Sequence, residues 1–258
     1  MRNVTSDRVV QVEVSRGVAT LTLDSPANRN ALSRELRGQL RTALTAALAD
    51  DAVRVVVLDH TGRVFCSGMD LADAAGGGAQ DQGVREFPEL LDVLWNSAKP
   101  VVAVVRGPAR AGGVGLAAAC DVVVAATSAT FAFSEVRLGL VPAVISAVVL
   151  SRMVPHVAHR LMLTGEVFDA ATAATGGLVD LVAADDDVDD VLTGQLTALT
   201  AGAPTALAET KRLLRAGSSL HFDELLELSA RFFAGEEGQE GIASFREKRP
   251  ARWVPADS

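Results

Sequence analysis

Three runs of mostly branched apolar residues do most to limit what this chain can become: RVVVLDH (54–60), AKPVVAVVRG (98–107) and DVVVAATSATFAF (121–133). Each has the length and β-branched content of a buried strand. The stretches around them carry helical periodicity. In ALSRELRGQLRTALTAALAD (31–50), Leu36, Leu40, Leu44 and Leu48 recur every four residues behind Ser33, a residue suited to cap a helix start. Nearer the N-terminus, VVQVEVSRGVATLTLDSP reads as a hairpin: Val10, Val12 and Val14 alternate with polar residues, Arg16-Gly17 turns, and Ala19, Leu21 and Leu23 follow. Strands alternating with helices at this spacing predict an α/β core with helices packed over the sheets. From about Thr193 the pattern is helical throughout, so the chain divides into a core over 1–192 and a helical appendage over 193–258 with apolar faces left for a partner subunit.

A chain of 258 residues can bury a full core. Its net charge of -8 and pI near 5.0 argue against a nucleic-acid partner. Cys66 and Cys120 are too few for a disulfide framework and read as buried thiols in a reducing compartment. The N-terminal MRNVTSDRVVQVEVSRG has no signal-peptide pattern, and LGLVPAVISAVVLS is too short to span a bilayer, so a cytoplasmic location is expected. His60, His156, His159 and His221 stand apart from any carboxylate at ligand spacing; they read as structural, and no metal site is expected. DDDVDD (185–190) reads as a solvated loop and helix N-terminus, and LADAAGGGAQDQG (71–83) as a mobile surface loop.

RAGGVGLAAACD (110–121) clusters its glycines as chains do where something approaches the backbone closely. One reading is a dinucleotide fingerprint: Gly113, Gly115 and Ala118 fit G-x-G-x-x-A, with Glu135 twenty residues beyond Gly115. Against it, RGPARA separates the strand from the glycines, whereas a fingerprint begins at the strand's end. The other reading is an oxyanion hole, in which main-chain N–H groups stabilise charge on a carbonyl oxygen. Such a hole needs a second donor, and FCSGMD (65–70) offers one at another strand exit. Two tight turns without chemical purpose are the bland alternative.

SPANRNALS, FCSGMDL, KPVVAVVRGPARAGGVGLAAACD, FAFSEVRLGLVPAVIS, LTGEVFDAATAATGGLVD and FREKR, in this order, resemble the crotonase (enoyl-CoA hydratase/isomerase) superfamily along nearly the whole chain. The resemblance implies an α/β spiral of ββα turns with a C-terminal helical trimerisation region, as a homotrimer or dimer of trimers. It also implies an acyl-CoA substrate, with coenzyme A part of that substrate and no separate cofactor. Carried over by position, the oxyanion donors are the N–H groups of Met69 and Gly112. Cys66, Ser67, Gly68, Asp70 and Gly113 would line the CoA groove, and Lys248 and Arg249 would meet its phosphates, within the subunit or across a subunit boundary, or else form a solvated basic tail.

Family hydratases use two glutamates. Glu135 of SEVRLG matches the second, but Gly115 stands at the first. A lone carboxylate can still move a proton, as in the family's Δ3–Δ2 isomerases. The wording of AGGVGL…CD with SEVRLGLVPAVIS is instead similar to a bacterial hydratase branch, including methylglutaconyl-CoA hydratase-like proteins. Ala143, where the dehalogenase variant carries aspartate, speaks against dehalogenation. The expectation is a hydratase with Glu135 as acid/base. An isomerase comes second, and a catalytically silent acyl-CoA-binding protein third. Asp70, Asp73, Glu86 and Glu89 are candidates for a replacement acid, and the pocket is expected to be shaped by 71–95 and 138–146.

Overall fold

A computed structural model describes residues 8–70, 86–216 and 221–255. The loop read over 71–83, with Asp73, falls outside them. Among the described residues are nine strands and ten α-helices. Strands β1 (Val10–Ser15), β2 (Val18–Leu23), β3 (Val55–His60), β4 (Val101–Val105), β6 (Val122–Ala126) and β9 (Leu181–Ala183) form one six-stranded sheet in the order β1-β2-β3-β4-β6-β9. Only β1 and β2 pair antiparallel, and the remainder is parallel. The short strands β5 (Ala109–Arg110), β7 (Thr130–Ala132) and β8 (Phe168–Asp169) form a second sheet.

The continuous apolar runs reflect burial on both faces. Val56, Leu58, Val101, Ala103, Val105, Val123 and Ala125 face one core, while Val55, Val57, Val102, Val104, Val124 and Ala126 face another. The side-chain period of two assigns neighbours to opposite cores, so both must be apolar. The first core is covered by α1 (Arg34–Ala49), α2 (Glu86–Asn96), α3 (Gly112–Ala119), α4 (Ala143–Arg152), α5 (Pro155–Thr164) and α6 (Ala170–Thr175). Helix α7 (Val188–Ala201) covers the second through Val188, Val191, Leu192, Leu196 and Leu199. Residue 192, the boundary read from sequence, therefore lies within a helix that packs on the sheet.

Local signals hold closely in two places. Ser33 caps α1 by accepting the Leu36 N–H, and Leu36, Leu40 and Leu44 are fully buried. The hairpin turns at Arg16 (φ 48°) and Gly17 (φ 78°), the doubly left-handed turn that suits strand twist. Val10 is buried in the core, whereas Val12 and Val14 on the same face depart from the alternation by remaining about half exposed farther along this edge strand.

Successive passes of the chain place one strand in each sheet before a helix returns it: β4, β5, α3, then β6, β7, the 134–138 turn and α4. The pass through β3 does likewise, because Cys66 bridges in parallel to Ala109 and so extends the small sheet. This is the spiral of ββα turns.

Beyond α7 lie α8 (Pro204–Ala216), α9 (Phe222–Ala234) and α10 (Glu236–Glu247). Helix α8 is anchored by Lys211, whose buried ammonium donates to Ser97 Oγ at 2.7 Å and pairs with Asp121 at 2.7 Å. Arg215 takes the other Asp121 oxygen at 2.9 Å and lies over the Trp95 ring. Leu214, Leu226, Phe233 and Phe245 remain largely exposed on these helices.

Candidate active site

Parallel pairing aligns the two glycine turns. Phe65 N–H donates to the Pro108 carbonyl, Arg110 N–H donates to the Cys66 carbonyl, and Cys66 stands opposite Ala109. Three residues farther along each segment stand Met69 and Gly112. A positive-φ residue precedes each: Gly68 (φ 91°) before Met69 and Ala111 (φ 47°) before Gly112. Glycine adopts that conformation freely, whereas alanine is strained by about 1–3 kcal/mol, a cost that a site can impose and a packed surround must sustain. The turns also touch. A Cβ on Gly68 would lie 3.1 Å from the Ala111 Cβ, 3.2 Å from the Arg110 carbonyl oxygen and 3.7 Å from the Gly112 nitrogen.

Among the described residues, neither the Met69 nor the Gly112 N–H donates a hydrogen bond. For Gly112 this follows from its place as the first residue of α3, whose opening N–H groups have no intrahelical acceptor. Gly113 also stands in that first turn, pressed so closely on Cys66 that a Cβ would meet the Cys66 carbonyl oxygen at 2.6 Å. Cys66 itself is fully buried, its thiol pushed up to about 12 by burial, so it spaces the two turns and is no nucleophile. Ser67 N–H donates to the Arg29 carbonyl and Leu32 N–H to the Gly68 carbonyl, which stitches the FCSGMD turn to the 29–32 segment.

Glu135 enters from the third pass. Ala111 N–H donates to the Ala132 carbonyl, and the 3-10 turn Ser134–Leu138 begins two residues later. One Glu135 carboxylate oxygen, Oε2, is buried and has no hydrogen-bond partner, the only such side-chain atom among the described residues. Burial raises this carboxyl above the usual carboxylate range. The simple alternative, an ion pair with Arg137, is not formed: Arg137 Nε donates to the Thr164 carbonyl at 2.6 Å.

Gly115 opens no space. A Cβ there would lie 2.4 Å from Ile145 Cγ2, 3.0 Å from Ile145 Cβ and 3.7 Å from Phe87 Cζ. One turn earlier on the same face of α3, a Gly112 Cβ would meet Leu32 Cδ1 at 2.7 Å and Phe87 Cζ at 3.2 Å. Leu32, which the sequence did not single out, and Phe87 and Ile145, which lie in the 71–95 and 138–146 segments expected to shape the pocket, thus fill the side-chain-free face of the helix. Of the candidate replacement acids, Glu86 pairs with Arg37 and Glu89 with Arg41. Asp70 follows Met69 directly at the last described residue before 71–85. Arg249 forks onto Glu240 and also pairs with Glu247, while Lys248 closes α10 in a left-handed conformation (φ 55°). Among the described residues, neither forms a hydrogen bond or ion pair with the two glycine turns of its own chain. No group of three or more potential metal ligands occurs there. No helix among them is long and apolar enough to cross a membrane.

A ββα spiral carrying two register-matched N–H turns and a buried carboxyl defines an α/β enzyme-like scaffold of the crotonase class. Residues 13–255 match the family model described as enoyl-CoA hydratase/isomerase, and the chain belongs to that family. A Rhodobacter capsulatus protein named "Probable enoyl-CoA hydratase" is 37% identical over 257 residues, covering 96% of this chain and 99% of its own length. Among solved structures, Pseudomonas aeruginosa AtuE is 37% identical with a TM-score of 0.89, covering 96% of this chain and all of its own. An enoyl-CoA hydratase from Shewanella pealeana is 31% identical with a TM-score of 0.89, covering 96% of this chain and 97% of its own.

Proposed function

We propose that this protein binds an acyl-CoA thioester and catalyses reversible addition of water to an enoyl-CoA. The thioester oxygen sits against the N–H groups of Met69 and Gly112. Glu135 takes a proton from water as its oxygen bonds to C3, and the electron pair moves through C2 to the thioester oxygen as an enolate. The same carboxyl then returns the proton to C2. Two unpartnered N–H groups suit the enolate oxygen, and a carboxyl raised by burial suits transfer to and from carbon. The observation that carries the reading is the buried Glu135 Oε2 with its hydrogen-bonding capacity unspent. Coenzyme A belongs to the substrate, and this step draws on no separate cofactor. The exposed apolar side chains of α8 to α10 support assembly as a homotrimer or dimer of trimers.

One observation favours a second reading. With Ile145 against Gly115, no second carboxylate can stand at that point of α3, and a single Glu135 could carry a proton from C2 to C4 of a 3-enoyl-CoA. Crotonyl-CoA and a 3-enoyl-CoA assayed side by side distinguish the two. Formation of 3-hydroxyacyl-CoA supports hydration, and migration of the double bond without uptake of water supports isomerisation. Binding without turnover of either refutes both, leaving a silent acyl-CoA-binding protein.

A further inference from the structure

His60 ends β3 and is buried, with its two ring nitrogens engaged on different passes of the spiral. Nε2 accepts the Arg106 N–H at 3.1 Å, at the exit of β4. Nδ1 lies 3.3 Å from the Thr61 carbonyl oxygen, at the exit of β3. A main-chain N–H can only donate, so Nε2 must be the bare nitrogen and the proton sits on Nδ1, donating to Thr61. Both bonds require this one neutral tautomer. Burial also holds the ring below the ordinary histidine range, against the opposing pull of the Thr61 carbonyl and of Asp59.

Asn30 converges on the same loop. Fully buried, it donates through Nδ2 to the Thr61 carbonyl at 3.0 Å and the Val64 carbonyl at 2.8 Å, while its Oδ1 accepts the Ser25 N–H at 2.7 Å. The 61–64 loop is thus held from one side by Asn30 and from the other by His60, and it abuts the β4 exit closely: a Cβ on Gly107 would lie 2.1 Å from the Arg63 carbonyl oxygen. The Phe65 ring meets the His60 ring edge-on at 5.5 Å. Immediately beyond these contacts, the two segments pair at Cys66 and Ala109 and run on to Met69 and Gly112.

We propose that His60 is a positioning residue for the paired N–H groups: by joining the Thr61 carbonyl to the Arg106 N–H, it sets the separation of the two strand exits and hence the convergence of Met69 and Gly112 on one oxygen. The inference rests on the reading of those groups as a thioester-oxygen site. A displacement of a few tenths of an ångström matters there, because hydrogen bonds to a developing charge weaken steeply with length and angle.

The test is optical. In 4-(dimethylamino)cinnamoyl-CoA the amine is conjugated with the thioester carbonyl, so polarisation of that carbonyl shifts the absorption to the red. The bound wild-type complex should show the shift. His60→Gln places an amide oxygen as many bonds from Cβ as Nε2, can still accept the Arg106 N–H, and should keep most of the shift. His60→Asn reaches only the Nδ1 position, and His60→Phe retains the ring packing without either bond. Each should bind the probe with at least half of the shift lost. The Asn–Gln comparison stands even if the Phe variant does not fold. A full shift in the Asn variant, or an equal loss in the Asn and Gln variants, overturns the positioning role. No shift in the wild-type complex overturns the thioester-oxygen reading itself, and the role of His60 with it.

Discussion

Gly115→Ala sets two known effects against each other. Gly115 lies inside α3 without a positive φ, and alanine in a helix interior is ordinarily worth about 1 kcal/mol over glycine. Space decides the opposite sign here. The new Cβ would fall 2.4 Å from Ile145 Cγ2 and 3.0 Å from Ile145 Cβ, and a β-branched side chain on a helix has one dominant χ1 and cannot swing aside cheaply. Overpacking of this kind costs about 1–3 kcal/mol beyond what the helix gains. Ile145→Ala alone removes a buried side chain and should cost about 2–5 kcal/mol. In that background Gly115→Ala meets no Cγ2 but still faces the retained Cβ at 3.0 Å, so the helix gain and the residual crowding should leave it near neutral. A double-mutant cycle from urea unfolding should therefore show a coupling of about 1–3 kcal/mol between the two positions. Gly115→Ala that is neutral or stabilising in the wild-type protein, or effects that add to within about 0.5 kcal/mol, would refute the packing described for this face.

Three further outcomes follow from the same geometry. Glu135 has a folded-state pKa raised by burial, so its ionisation opposes folding as pH rises above the ordinary glutamate range; Glu135→Gln should raise the thermal midpoint at neutral pH, by a margin that shrinks on acidification, and a margin that grows on acidification would contradict this. Gly68→Ala introduces a side chain at φ 91° against the Ala111 Cβ and the Arg110 carbonyl, and should cost more than about 1 kcal/mol in denaturant unfolding while depressing kcat. Asp121→Ala strands the buried Lys211 ammonium and should cost about 3–5 kcal/mol, whereas Lys211→Met, which removes the charge itself, should cost clearly less; equal losses would refute the anchor.

Much of the architecture was legible because it is written in local pattern. The buried strands announced themselves as apolar runs, α1 by its leucine spacing and serine cap, and the hairpin by Arg16-Gly17. The two glycine turns could be paired from sequence because each follows a strand and each needs a residue tolerant of close backbone approach. Ala111 shows where that reasoning thins: it takes a positive φ that its identity does not advertise, because the Ala132 carbonyl and the register with Cys66 hold it there. Phe87 and Ile145 fall in the segments expected to shape the pocket, 71–95 and 138–146, but periodicity does not pick them out within those segments. Nothing local says which apolar side chain lands on Gly115, since that depends on how α4 and α2 cross α3. In the sequence His60 is an isolated histidine with nothing to mark it as more than structural. It is structural in its bonds, and only the placement of the β4 exit beside the β3 exit shows what those bonds connect. Its signal in sequence was a histidine at the end of an apolar strand, directly ahead of Thr61-Gly62 and the FCSGMD turn.

The most direct measurement is the rate at which purified wild-type protein and its Glu135→Gln variant hydrate crotonyl-CoA, followed by loss of the conjugated enoyl absorbance, alongside the affinity of each for the thioester. The expected result is turnover in the wild type and a loss of about 10²–10⁴-fold in the variant, with binding retained. Full turnover by Glu135→Gln would contradict the assignment of the proton transfers to this carboxyl.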